Sequence, residues 1–96
     1  MVRVRWLRKA LDNLQAEIEL VAQENASAAV SLARELFEAT DRLGKFPGMR
    51  RPGRVPGTRE LVIPDTPYIL PYRVRAGAVE ILRVVFHAAR RWPEGF

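Results

Sequence analysis

The sequence predicts an α+β chain in which a short strand and two helices precede a three-stranded meander. Apolar residues recur at helical spacing through the first half, at Leu7, Leu11, Leu14, Ile18 and Val21. The second half has runs rich in β-branched and aromatic residues, Arg59–Ile63, Tyr68–Arg75 and Val79–His87, separated by Pro64-Asp65-Thr66-Pro67 and Ala76-Gly77-Ala78. Between the halves, Phe46–Gly57 is dense in proline and glycine.

Met1–Arg5 sets Val2 and Val4 against Arg3 and Arg5, the period of a half-buried strand suited to an edge. The period then changes, and the stripe from Leu7 to Val21 leaves Asp12, Glu17, Glu19 and Glu24 mostly on the solvated side of a first helix. Asn25 is placed to cap a second helix, whose stripe runs through Ala29, Ala33, Leu36, Phe37, Thr40 and Leu43. So short a connection folds the helices back as an antiparallel hairpin. Gly44 and Pro47 are expected to end the second helix. Phe46–Gly57, with Arg50, Arg51 and Arg54, reads as a loop, either a solvated connection or a basic arm beside the sheet.

In the meander, Tyr68, Leu70, Tyr72 and Val74 share one face of their strand. Simple alternation in Val79–His87 sets Leu82, Val84 and Phe86 with them, against the helices. Arg73, Arg83 and His87 would then project together from the opposite surface. Pro71 lacks a ladder donor, so its strand must lie at an edge or beside a bulge there. Both faces of Arg59–Ile63 are apolar, and alternation leaves the side taken by Arg59 open.

A chain of 96 residues suits one domain, spanning 1–96, that buries roughly 60–70% of its unfolded surface. Without cysteine, and with His87 the only histidine, it offers neither a thiolate nor a His-rich metal site, so neither metal nor cofactor is expected. No apolar run approaches the ~20 residues that cross a bilayer, which makes the cytoplasm the default compartment. The formal charge of +5 is unevenly spread, at +4 over residues 1–9, −4 over 10–45 and +5 over 46–96. Acidic helices beside a basic sheet half argue for a polyanionic partner on the sheet side.

His87, with an ordinary pKa of ~6.5, is the natural proton-transfer candidate near neutrality. Beside Arg73, Arg83, Arg90 or Arg91 it would supply a base with guanidinium groups for a phosphate, the minimum for metal-free RNA cleavage. The plainer reading, which a lone histidine favours, is that His87 ends a strand and caps a neighbouring carbonyl. Arg73 and Arg83 can contact phosphate or pair with Glu80 and Glu60. Trp92, next to Arg90 and Arg91, can stack on a partner or cover the sheet edge. Tyr68 and Tyr72 read as core residues.

The order of these elements, with Tyr-Ile-Leu-Pro-Tyr-Arg-Val (68–74) and Val-Glu-Ile-Leu-Arg-Val-Val-Phe-His-Ala-Ala-Arg-Arg-Trp (79–92), resembles the RelE/ParE superfamily of bacterial toxins over nearly the whole chain. The resemblance implies a β-α-α-β-β-β fold, a two-helix hairpin on a small curved antiparallel sheet, and a tightly bound antitoxin with an acidic C-terminal segment. RelE-like members cleave mRNA in the ribosome. Ile69 stands where such toxins place an arginine, Arg59–Ile63 lacks their lysines, and no tyrosine follows Tyr72. The ending Leu82–Arg91 is more similar to the ParE-like branch, which poisons DNA gyrase. For such a target, the basic and aromatic residues of the sheet and tail read as the binding set: Arg59, Arg73, Arg83, His87, Arg90, Arg91 and Trp92. The RelE-like alternative, acting on ribosome and mRNA, would use His87, Arg83 and Arg73 as catalytic groups.

Overall fold

A computed structural model describes residues 2–45, 51–52 and 55–86. Its elements in chain order are β1 (Arg3–Trp6), α1 (Arg8–Glu24), α2 (Ala26–Lys45), β2 (Arg51–Pro52), β3 (Arg59–Val62), β4 (Tyr68–Arg75), β5 (Ala78–Ile81) and β6 (Val85–Phe86). The strands form one sheet in the order β1-β5-β4-β3-β2, and β6 pairs with the start of β4. The two helices pack against one face of it.

The helical hairpin turns on one residue. Asn25 Oδ1 accepts from the backbone N–H of Ala28 at 3.0 Å, capping α2, while the N–H of Asn25 closes α1 on the carbonyl of Val21 at 2.9 Å. In α1 the buried residues are Ala10 and Leu14; Leu11, assigned to the stripe by spacing, is 37% exposed because the helix is rotated toward Ala10. In α2, Ala29, Leu36, Ala39, Thr40 and Leu43 are buried. Phe37 lies at the margin, its ring 5.5 Å from that of Trp6. Gly44, expected as a left-handed terminator, is helical and buried, and its carbonyl accepts from the N–H of Val2 at 2.8 Å. Pro47 lies outside the described residues.

β1 lies at the sheet edge, as its alternation predicts, but runs parallel to β5, with Arg5 opposite Glu80. The sheet is therefore mixed rather than antiparallel throughout. Both helices and three strands intervene between β1 and β5, a connection long enough to return the chain in the parallel sense. Inside the stretch read as a loop, Arg51–Pro52 pairs with Arg59–Glu60. Val55–Thr58 forms a turn with Pro56 second, Gly57 third at φ 82°, and the N–H of Thr58 on the Val55 carbonyl at 3.1 Å.

The β3–β4 turn repeats that pattern, with Pro64 second and Asp65 third at φ 61°. Thr66 closes it through both its N–H and its hydroxyl on the Ile63 carbonyl, at 3.3 and 3.0 Å. The β4–β5 hairpin needs two residues only, Ala76 at φ 51° and Gly77 at φ 74°, the signature of a type I′ turn.

The run Val79–His87 is not one strand. It pairs with β4 as Tyr72↔Ile81 and again as Ile69↔Val85, so Leu82, Arg83 and Val84 oppose only Leu70 and Pro71. This is a bulge. The N–H of Leu82 donates to the Pro71 carbonyl at 2.9 Å, which shows that the backbone polar groups of Pro71 face the bulged strand. The donor that proline lacks is thus missing where the ladder is already interrupted. The bulge overturns the alternation expected there. Val79, Ile81 and Val84 join Tyr68, Leu70 and Tyr72 in the core against Ala10, Leu14, Leu36 and Leu43. Leu82 is buried on the opposite face, with Ile69 and Val85.

Replacing Asn25 with alanine removes the side-chain acceptor of the α2 cap. The expected loss is about 1 kcal/mol in urea unfolding, with unchanged helical circular dichroism at low denaturant.

Candidate functional site

On the sheet face away from the helices, Glu80 of β5 stands between two arginines supplied by its neighbouring strands. Register places Arg5 of β1 and Arg73 of β4 directly opposite it. Arg73 Nε donates to Glu80 Oε1 at 2.7 Å, and Arg5 Nη1 lies 3.5 Å from Oε2. One residue along, Arg3 and Arg75 both pair with Ala78. The row extends into a patch of four arginines around one carboxylate. Local sequence makes this possible, because the strict alternation of Arg3 with Arg5, and of Arg73 with Arg75, sends each pair to one side.

Glu80 is 7% exposed. The hydrogen bond from Arg73 is the main cause that holds its carboxyl below the usual carboxylate range; burial opposes it, and the charges of Arg73, Arg5 and Arg75 add to the lowering. One carboxylate fixes Arg73 while the patch stays strongly positive. Such a surface suits a carboxylate-rich peptide or a phosphate backbone.

The sequence-expected site residues separate. Arg73 belongs to this patch. Arg83 sits in the bulge, where Nη1 donates to the Leu82 carbonyl at 2.9 Å; the interrupted alternation takes it out of the simple row with Arg73. Arg59 pairs with Tyr72, so it lies on the helix side of the sheet, opposite to Arg73. His87, Arg90, Arg91 and Trp92 lie outside the described residues. Arg3, Arg5 and Arg75 are additions that sequence reasoning did not place in the site. Their alternation was legible, but their meeting depends on the parallel pairing of β1 with β5.

Both tyrosines take structural roles. Tyr72 is buried, and the Tyr68 hydroxyl donates to Glu17 Oε2 at 3.3 Å. Burial, with the adjacent Glu17 charge, pushes the Tyr68 phenol up to about 12. It therefore stays protonated throughout the neutral range. Among the described residues, no group of three or more His, Asp or Glu side chains is placed to hold a metal ion, and no helix is long and apolar enough to cross a membrane.

The stability linkage of Glu80 has a definite sign. Its lowered folded-state pKa means that its contribution is present above the unfolded value of 4.5 and is lost as pH falls through the folded value. Glu80→Gln should therefore melt at a lower temperature than the parent at pH 7. The two melting curves should converge as the pH is lowered well below 4.5, as followed by circular dichroism.

A family model described as the ParE toxin of the type II toxin–antitoxin system parDE matches residues 4–92. Y4kP, a toxin candidate of Sinorhizobium fredii, is 40% identical over 92 residues, covering 96% of this chain and 94% of that protein. Toxin RelE2 of Caulobacter vibrioides is 37% identical over 90 residues, covering 94% and 99%. A solved structure titled as the chromosomal ParDE TA system from P. aeruginosa superposes with a TM-score of 0.79 at 29% identity, over 88% of this chain and 94% of that one. With its helical hairpin laid on one face of the sheet, the chain belongs to the ParE toxin family of type II toxin–antitoxin systems.

Proposed function

We propose that the chain is neutralised by a cognate antitoxin and, when free, inhibits growth by binding and poisoning DNA gyrase. The observation that carries this reading is the ParE family match across residues 4–92. The P. aeruginosa neighbour, part of a chromosomal ParDE TA system, supports an antitoxin as the partner. The arginine patch around Glu80 adds a physical reason. An acidic antitoxin segment laid across β1, β5 and β4 would meet Arg3, Arg5, Arg73 and Arg75 without displacing a buried apolar group. Charge of this kind speeds encounter and fixes orientation more than it raises affinity.

In this reading the chain acts by occupancy rather than by bond cleavage. Arg73 and Arg83 remain candidates for target contact, together with His87, Arg90, Arg91 and Trp92. Arg59 is less suited to the same contact, because its strand register puts it on the other side of the sheet from Arg73.

A second reading, ribosome-dependent mRNA cleavage, is favoured by the 37% identity to a toxin designated RelE2. It would use His87 as base and Arg73 and Arg83 on phosphate. The bulge weighs against that role, since it takes Arg83 out of the row with Arg73 on the sheet face.

The deciding experiment titrates the purified chain into gyrase acting on relaxed plasmid. Loss of supercoiling with linear plasmid accumulating on denaturation is expected, together with recovery when the cognate antitoxin is added. Unaltered supercoiling at a large excess of active chain would contradict gyrase as the target. New mRNA 5′ ends spaced by codon, seen only with ribosomes, would then support the second reading.

A further inference from the structure

Two adjacent rows of the arginine patch share one construction and differ at the centre. In the row through Glu80, Arg5 on β1 and Arg73 on β4 flank β5 and reach the carboxylate between them, at 3.5 and 2.7 Å. In the row through Ala78, Arg3 and Arg75 flank the same strand. Residues two apart on a strand share a face, so both rows project from the same side of the sheet. The flanking α-carbons of each row lie about 10 Å apart across β5, and the rows are about 6.7 Å apart along it.

The first row shows what this spacing does. Two guanidinium groups entering from opposite sides meet one oxyanion over the middle strand. The second row presents the same pair of arginines, but Ala78 stops at its methyl group and supplies no acceptor. Arg3 and Arg75 are exposed, and among the described residues neither takes part in an ion pair or a side-chain hydrogen bond. Four arginines against one glutamate leave the patch with a formal charge of +3. At these rows β5 is paired to β1 on one side and to β4 on the other, so its backbone offers nothing to an added strand. An extended peptide draws much of its affinity from backbone pairing at an open edge. Recognition over Ala78 falls instead to side-chain charge alone, which is how proteins grip successive phosphates of a nucleic acid without reading its bases.

We propose that Arg3 and Arg75 form a phosphate subsite over Ala78, through which the chain holds the backbone of duplex DNA. The inference deepens the gyrase reading above and rests on it for the choice of DNA, the polymer on which gyrase acts. An acidic antitoxin segment lying on the same patch would exclude DNA from it.

The test titrates the full chain into a short fluorescein-labelled DNA duplex, with anisotropy followed from about 50 mM salt upward. Binding should weaken steeply with salt. Arg3→Gln and Arg75→Gln should each reduce the affinity and lower the slope of log affinity against log salt by about one. Ala78→Glu gives the second row the carboxylate that the first already carries, and it should cost at least about tenfold in DNA affinity. Ala78→Gln, similar in size but uncharged, should recover most of that loss. Arg34→Gln with Arg42→Gln removes two exposed charges from α2 and should leave the slope unchanged. Circular dichroism melting checks the fold of every variant, and the arginine variants decide the matter if Ala78→Glu does not fold. Absence of salt-dependent duplex binding by the parent, Ala78→Glu binding as tightly as Ala78→Gln, or an equal loss in the α2 double variant would overturn the proposal. So would a polyglutamate peptide that binds through these arginines while the duplex does not, which would give the patch to protein carboxylates. Supercoiling is read separately. Poisoning of gyrase without duplex binding would refute the subsite and leave the gyrase reading standing, whereas duplex binding with unaltered supercoiling would refute the gyrase reading and keep the subsite.

Discussion

The structure depends on one interruption in a ladder. Three residues, Leu82 to Val84, face two, Leu70 and Pro71, and the extra residue inverts the inward and outward sense of the chain on either side. Before the bulge Val79 and Ile81 point at the helices and Glu80 points away. Beyond it Val84 returns to the core, and Phe86 reaches Tyr68, with ring centroids 5.6 Å apart. The bulged backbone stays close to α1, where Asn13 Oδ1 accepts from the N–H of Val84 at 3.2 Å. A buried amide without a partner there would cost about 1–3 kcal/mol. Asn13 thus couples the helix to the place where the strand pairing changes.

This arrangement generates two surfaces of opposite chemistry. Since Glu80 faces outward, it can hold Arg5 and Arg73 across three adjacent strands and set the centre of a basic patch. Since Phe86 faces the helices, it forms with Tyr68 the apolar floor of a groove at the closed end of the hairpin. The acidic helices and basic sheet half seen as net charges along the chain become, in three dimensions, carboxylates along the helix side and an arginine patch on the far face of the sheet. An antitoxin bound to the folded chain would stabilise it by mass action.

Much of this fold was legible in the sequence. Tyr68–Arg75 is a strand with the bounds that its alternation and flanking turns set, and Asn25 caps α2 as its position between two helical periods suggests. These features depend on neighbours within a few residues. What alternation alone could not supply is register. The face of Arg59 is set by Tyr72, thirteen positions away on another strand, and the convergence of Arg5 with Arg73 is set by the parallel pairing of the first described strand with the fifth. Pro71 carried a partial signal, because a proline inside an otherwise good strand requires an edge or a bulge. The sequence did not say on which neighbouring strand the extra residue would lie, and so Leu82 was assigned to the wrong face. The groove was hidden for a related reason. Glu17, Glu24 and Glu35 look like solvated helical acids until the β3–β4 turn brings Asp65 and Tyr68 beside them.

Amide hydrogen exchange at Val84, compared between the parent and Asn13→Ala, tests the bulge most directly. The Val84 amide should be protected in the parent and should lose most of that protection in the variant, while the Leu82 amide, bonded to Pro71, changes little. A Val84 amide that exchanges as fast as an exposed one in the parent, or that is unaffected by removal of Asn13, would contradict the placement of the bulge and the two surfaces that follow from it.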